Sequence, residues 1–182
     1  MLPLDRIFRS RAPLEVELGA GDGSFLAAYA AARPERNFLG VERLLGRLRK
    51  IERKALRGHL ENIRVIRLEA SYVAQYLLPP RSVHAFHIYF PDPWPKRRHW
   101  KNRLVTLSFT RILQRALVAG GTVHLRTDNQ PYFEQMLESF EANPDFEKAQ
   151  TSEELLAFVT DFEREFQKRG VPRNELTYRL RS

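Results

Sequence analysis

Apolar residues along this chain switch repeatedly between strand spacing and helical spacing. Leu14-Glu15-Val16-Glu17-Leu18 alternates as a strand and runs into a glycine-rich turn. Ser24 to Arg33 is alanine-rich and helical, and Asn37 to Glu42 is a second strand. Leu44, Leu48, Ile51 and Ala55 recur at helical intervals, which predicts an amphipathic helix over 43–57. Ile63 to Leu68 reads as a third strand, and a short helix from Ser71 to Leu78 is stopped by Pro79-Pro80. Val83 to Phe90 is an apolar fourth strand followed by a proline-punctuated loop. A helix from Leu104 to Val118 should end at Gly120-Gly121, with a fifth strand over Thr122 to Arg126. Pro131 to Glu141 is helical, and Glu175 to Arg181 fits a terminal strand. Strands and helices in alternation predict an α/β fold whose parallel sheet is covered on both faces. Such sheets bind ligands at the carboxyl ends of their strands, so the residues ending strands one to five matter most.

The first strand leads into Glu17-Leu18-Gly19-Ala20-Gly21-Asp22-Gly23. Glycines at alternate positions give a tight turn and let a ligand approach bare backbone, and the next helix offers free N–H groups. Glu42 ends the second strand, where a carboxylate can accept hydrogen bonds from both hydroxyls of a ribose. On the glycines alone, a plain strand-to-helix turn competes with this reading; Glu42 weighs against it. The dinucleotide fingerprint is G-x-G-x-x-G, whereas the spacing here is G-x-G-x-G, which disfavours a nicotinamide oxidoreductase.

The fourth strand delivers Tyr89-Phe90-Pro91-Asp92-Pro93-Trp94-Pro95-Lys96. Prolines at 91, 93 and 95 fix φ and remove donors, so this is a stiff extended loop that cannot continue a ladder. Asp92 is held between two of them at the ligand end of the sheet. The run continues as Lys96-Arg97-Arg98-His99-Trp100-Lys101-Asn102-Arg103. Basic residues interleaved with an aromatic suit phosphate contacts and base stacking. Cations at a helix start oppose its dipole, so a partner accounts for the cluster better than helix stability does. Arg43, Arg47, Lys50, Lys54 and Arg57 form a second basic stripe on one helical face, for which a solvated surface is an equally good reading.

Composition adds bounds to this picture. The 182 residues fit one domain, and a hydrophobic fraction of 43% is enough for a core. Lys and Arg outnumber Asp and Glu by 30 to 22, and the net charge of +8 favours a polyanionic partner. With no cysteine, disulfides, thiolate metal sites and cysteine nucleophiles are excluded. Five histidines occur, none at metal-ligand spacing; His84 and His87 point to opposite faces of a strand, so no metal is expected. No apolar run approaches a membrane span, and Met1 to Pro13 has no signal-peptide core. A cytoplasmic protein is expected, with no membrane association and no obligate protein partner implied.

The glycine turn with Glu17 resembles motif I of the class I methyltransferases. The run YFPDPWPKRRH over 89–99 resembles the signature of bacterial tRNA (guanine-N7-)-methyltransferases. Thr127-Asp128-Asn129-Gln130-Pro131-Tyr132 is similar to that family's T-D-x-x-x-Y, and Thr160-Asp161-Phe162-Glu163 to its T-x-F-E. The blocks occur in the family's order between residues 14 and 170. The resemblance implies a class I methyltransferase Rossmann-like fold over residues 1–182, a mostly parallel seven-stranded sheet with helices on both faces. It implies S-adenosylmethionine as cofactor, held by Glu17, Gly19, Gly21, Gly23, Glu42, Glu69 and Asp92, with Asp92 also the main catalytic residue. Lys96, Asp128, Thr160 and Glu163 would bind the substrate guanosine. Arg97, Arg98, His99, Lys101 and Arg103 would contact tRNA, whose variable-loop guanosine would receive the methyl group on N7. Trp94 and Tyr132 are candidates to stack on that base, though each fits a core role equally well. Glu69 stands where the family usually has Asp or Asn, Asn102 replaces a commonly basic residue, and the segment before the first strand is short.

Two further readings stay open. D-P-W is similar to the D/N-P-P-aromatic loop of amino methyltransferases, which act on DNA or small amines; the basic cluster argues against a small substrate. A non-catalytic RNA-binding adaptor could keep the fold, but the intact Glu17, glycines, Glu42 and Asp92 argue against decay.

Overall fold

The computed structural model describes residues 1–170 and 172–182. Seven strands share one sheet: β1 (Leu14–Leu18), β2 (Asn37–Val41), β3 (Ile63–Ile66), β4 (Val83–Tyr89), β5 (Leu117–Thr127), β6 (Phe146–Ala149) and β7 (Asn174–Leu180). Their order is β3-β2-β1-β4-β5-β7-β6. The first five are parallel, and β7 enters antiparallel between β5 and β6. The chain steps outward from β1 to β3 and then returns to place β4 beside β1. That reversal makes the β1/β4 boundary the switch point, where a crevice opens outside the strand ends.

Helices cover both faces: α1 (Leu4–Ile7), α2 (Ser24–Ala32), α3 (Leu45–Arg57), α4 (Ala70–Tyr72), α5 (Leu107–Ala116), α6 (Gln130–Glu141), α7 (Glu153–Ala157) and α8 (Asp161–Lys168). One core joins Val16, Leu18, Phe86 and Ile88 of the strands to Phe109, Leu113 and Phe140 of α5 and α6. The other joins Phe38 and Tyr89 to Phe25, Leu26 and Ile51 of α2 and α3. Covered on both sides, β1 is buried at all five positions despite its polar alternation. Glu15 and Glu17 are therefore interior residues. Glu15 is satisfied there: His87 Nε2 lies 2.7 Å from Oε2, and Arg36 pairs with the other oxygen. Burial opposes its ionisation, but these partners outweigh burial and lower its pKa.

Three expectations change. The helix placed at 104–118 is shorter, because Thr106 caps it by accepting from Phe109 N, and β5 already begins at Leu117. Gly120-Gly121 lies inside β5, where the register against β4 jumps from Val83↔Leu117 to Ala85↔Thr122. The pair marks a strand irregularity rather than a helix end: Gly120 has φ +73°, and a side chain at Gly121 would meet Leu117 at 2.9 Å. The helix placed at 71–78 is one α turn continued by a π turn over Val73–Leu77, its carbonyls at Ala74, Gln75 and Leu78 held by Arg115. Among the described residues, no helix is long and apolar enough to cross a membrane.

Candidate active site

A cavity of about 460 Å³ opens at the switch point, with Gly19, Glu42, Glu69, Asp92 and Trp94 in its wall. Gly19 and Gly21 have φ of +81° and +57°, and a side chain at either would project into open space. Gly23 does something else. A side chain there would strike Ile51 at 2.8 Å, so this glycine serves the packing of α2 on α3 and lies outside the cavity wall.

Glu42 is buried and accepts from Gly21 N at 2.9 Å and Leu44 N at 2.7 Å. Each oxygen keeps a second lone pair for a ligand. Glu69 spends its carboxylate on capping α4, accepting from Ser71 N, Ser71 Oγ and Tyr72 N. Partial burial opposes its ionisation, yet these bonds and the charge of Arg43 lower its pKa. A ligand at that wall competes with the cap. Glu17 is 3% exposed, and its Oε2 has no hydrogen-bond partner. Burial raises its pKa well above the ordinary carboxylate value, and Arg126 opposes this only in part.

Asp92 is exposed and reaches the cavity from the proline loop. The residues bracketing its two prolines, Phe90 and Trp94, have φ of +50° and +45°. Non-glycine residues in that region are strained and persist only where surroundings hold them. Phe90 is tied to the next strand through its N–H to Arg126 O, at 2.8 Å. Trp94 is 36% exposed in the cavity wall, whereas Tyr132 is fully buried with its hydroxyl accepting from Val105 N. Of the two candidate stacking rings, Trp94 alone is accessible.

Arg103 contradicts its expected place on the RNA-facing surface. It is 3% exposed, sandwiched over Trp100 at 4.3 Å and Tyr132 at 4.8 Å. Its guanidinium donates to Pro93 O at 2.8 Å, Pro131 O at 3.2 Å and Gln135 Oε1 at 2.9 Å. One side chain thus staples the Asp92 loop to the start of α6, which follows Asp128. Lys96, Arg97, Arg98 and Lys101 are exposed, and His99 is half-buried in a turn that spans 97–102.

Glu163 and Thr160 also depart from expectation. They form a capping box at the start of α8: Thr160 Oγ1 accepts from Glu163 N, and Glu163 accepts from Thr160 N. Glu163 is 1% exposed and pairs with Arg126 at 3.1 Å and with Arg173. Arg126 in turn donates to Phe158 O and Leu155 O. With its oxygens engaged, Glu163 is a hub that fixes α7 and α8 across β5, not a free acceptor for guanine. The capping-box spacing in the sequence was the signal for this role. Asp128 and Lys96 lie outside the cavity wall. Sequence reasoning missed Asp22, which with Asp161 receives Lys54 and so ties the glycine turn to α3 and α8. Burial opposes Asp22 ionisation, but hydrogen bonds with Lys54, Asp161 and Ser24 hold its pKa down at about 2.

A glycine turn, a buried carboxylate and a proline-braced aspartate thus surround one crevice, in a fold shared with solved methyltransferases. The 16S rRNA methyltransferase KamB has the same fold, with a TM-score of 0.71 and 15% identity over 98% of this chain and 93% of that one. The fold is that of the class I methyltransferases. Residues 11–176 match a family model described as a putative methyltransferase. The tRNA (guanine-N(7)-)-methyltransferase of Alkalilimnicola ehrlichii is 38% identical over 98% of this chain and 76% of its own length. That of Halorhodospira halophila is 38% identical over 100% of this chain and 80% of its own. This chain belongs to the tRNA (guanine-N7-)-methyltransferase family.

Proposed function

We propose that this chain transfers a methyl group from S-adenosylmethionine to N7 of the variable-loop guanosine of tRNA, acting in the cytoplasm as a single domain without an obligate protein partner. The observation that carries the proposal is the strained Pro91-Asp92-Pro93 loop, which brings an exposed carboxylate into the same cavity as the glycine turn and Glu42. The residues present fit the cofactor. The buried, unpartnered Oε2 of Glu17 needs a donor, and the amino group of a methionine moiety is one. Glu42 would hold the ribose, the 68–70 wall would face the adenine, and Gly19 and Gly21 leave room beside the chain. When bound, the cofactor supplies an electrophilic sulfonium methyl group.

Guanine N7 carries a lone pair and no proton, so no strong general base is required. What the protein must supply is orientation, which contributes several kcal/mol. It must also accommodate a purine that becomes cationic, and a carboxylate placed beforehand stabilises that charge. Asp92 takes this role, and Trp94 offers its face to the extruded base. Asp128 and Lys96 contact the guanosine from beyond the cavity wall. Thr160 and Glu163 contribute by fixing α8. Arg97, Arg98, His99 and Lys101 contact the RNA backbone, while Arg103 positions the Asp92 loop from within.

The test is transfer of labelled methyl from S-adenosylmethionine to unmodified tRNA transcripts, with the variable-loop guanosine present or replaced by adenosine. Label incorporation that disappears on replacement is the expected result. Incorporation that persists would overturn the target base, and none with either transcript would overturn the activity.

A further inference from the structure

The cations of α3 are not explained by the fold. Between Arg43 and Arg57 stand Arg43, Arg47, Arg49, Lys50, Arg53, Lys54 and Arg57, against one acid, Glu52. Leu48 and Ile51 bury the opposite side of the helix. The cations recur three and four positions apart, so each has like-charged neighbours on the helix surface, an arrangement that destabilises a helix. The first turn contains no acid to relieve Arg47 beside the positive end of the helix. Among the described residues, Lys54 alone of the seven has a carboxylate within 4.0 Å. The other six are solvent-exposed.

The stripe also has a direction. Arg43 and Arg47 line the cavity that holds Asp92 and Trp94, and the remaining cations lead away from it along α3. The 13 residues of α3 extend about 20 Å, long enough to pass several phosphates. The 97–101 cluster lies between Trp94 and Asn102, two residues that line the same cavity away from α3. A polyanion crossing the mouth would therefore meet cations from two separate elements, with the reacting nucleotide between them.

We infer that the solvent face of α3 is a second RNA track, gripping the phosphate backbone of the same tRNA whose guanosine enters the cavity. The inference rests on the proposed tRNA activity. It assigns the even-handed second stripe to phosphate binding, where it contributes affinity without reading sequence. Membrane association is the competing use of a basic helix, but Leu48 and Ile51 are committed to the core, which leaves exposed leucines only at its two ends, Leu44 and Leu45 at one and Leu56 at the other, too few for an inserting face.

The test uses the full chain carrying Lys50→Ala, Arg53→Ala and Arg57→Ala together, none of which lines the cavity. Equilibrium binding of unmodified tRNA is measured across salt concentrations, with S-adenosylhomocysteine binding and thermal unfolding in parallel. The expected result is affinity at least tenfold weaker and a salt slope shallower by about two units, with S-adenosylhomocysteine affinity unchanged. A companion carrying Lys50→Arg, Arg53→Lys and Arg57→Lys should keep the wild-type slope. An unchanged slope in the alanine variant, while the wild type still methylates tRNA, overturns the track and leaves the activity standing. Loss of S-adenosylhomocysteine affinity equal to the loss of tRNA affinity overturns the track by tracing the effect to the fold. Retention of the wild-type protein on phosphatidylserine vesicles with an unchanged tRNA slope reassigns the stripe to membranes and overturns it likewise. Absence of methyl transfer by the wild type overturns the activity itself.

Discussion

The end of β1 and the junction of β5 with α8 each bury a glutamate almost completely, and they treat it in opposite ways. Glu163 is surrounded: Arg126, Arg173 and the Thr160 N–H take its oxygens. Glu17 keeps one oxygen without a partner at comparable burial. A buried carboxylate is costly unless paired, so the two are not variants of one design. The saturated site fixes structure. The unsaturated site holds a deficit that a ligand can remove, and it lies beside the cavity. Solvent exposure alone does not distinguish them; the inventory of donors does.

The largest effect should come from the open side. Asp92→Ala is expected to lower methyl transfer at least about a hundredfold while tRNA binding and the unfolding midpoint hold. Activity within threefold of wild type would remove Asp92 from the chemistry. On the saturated side, Glu163→Ala leaves two arginines without their shared carboxylate and should destabilise the fold by about 3–5 kcal/mol, lowering Tm by about 10 °C. A shift under about 2 °C would erase the contrast between the sites. Glu17→Gln sharpens it: S-adenosylmethionine affinity should fall about tenfold to a hundredfold, as for a lost charged hydrogen bond, with Tm unchanged or raised. A Tm loss like that of Glu163→Ala would show that Glu17 is structural after all.

The smallest effects are in pH dependence, where Glu17 and a second buried group, His124, differ in sign. Because burial raises the Glu17 pKa above 4.5, the folded ligand-free chain keeps a proton that the unfolded chain has released. Its contribution to stability is present below 4.5 and is lost as pH rises through the folded value. Binding of a cationic ligand should release that proton, read by calorimetry in buffers of different ionisation enthalpy; no buffer dependence would contradict it. His124 behaves oppositely. Burial, reinforced by the neighbouring His87, lowers its pKa to about 3, so its contribution is present above 6.5 and is lost as pH falls toward about 3. Substituting His124→Gln should flatten the decline of Tm across that window, and an unchanged slope would assign the decline to other groups.

Much of this molecule was legible without coordinates. Strands with local apolar alternation or runs, such as Leu14–Leu18 and Val83–Tyr89, were found within a residue, and the amphipathic α3 within two. β6 and α7 were not, because four- and five-residue elements carry too little periodicity to register, and the eight-residue α8 was passed over with them. Gly120-Gly121 misled because a glycine pair signals a helix end and a strand irregularity equally well. Among site residues, chain position located Asp92, Glu42 and Gly19 at one crevice, since strand ends converge in any sheet of this class. Arg103 was misjudged because a cation in a basic run looks the same on a surface as between two rings.

By itself, then, the sequence determined the α/β order of elements, the glycine turn, the proline-braced Asp92 and the surplus of positive charge. These depend on local backbone preference and on composition, which need no knowledge of distant neighbours. Tertiary structure alone decided which charges are used up inside the fold and which remain for a ligand. Lys54 pairs with Asp22, Arg103 with the Asp92 loop and Glu163 with two arginines, while among the described residues Glu17 keeps an oxygen without a hydrogen-bond partner and the rest of the α3 stripe forms no ion pair. The worth of a charge is set by its partners and its exposure to water, and both are properties of three-dimensional packing.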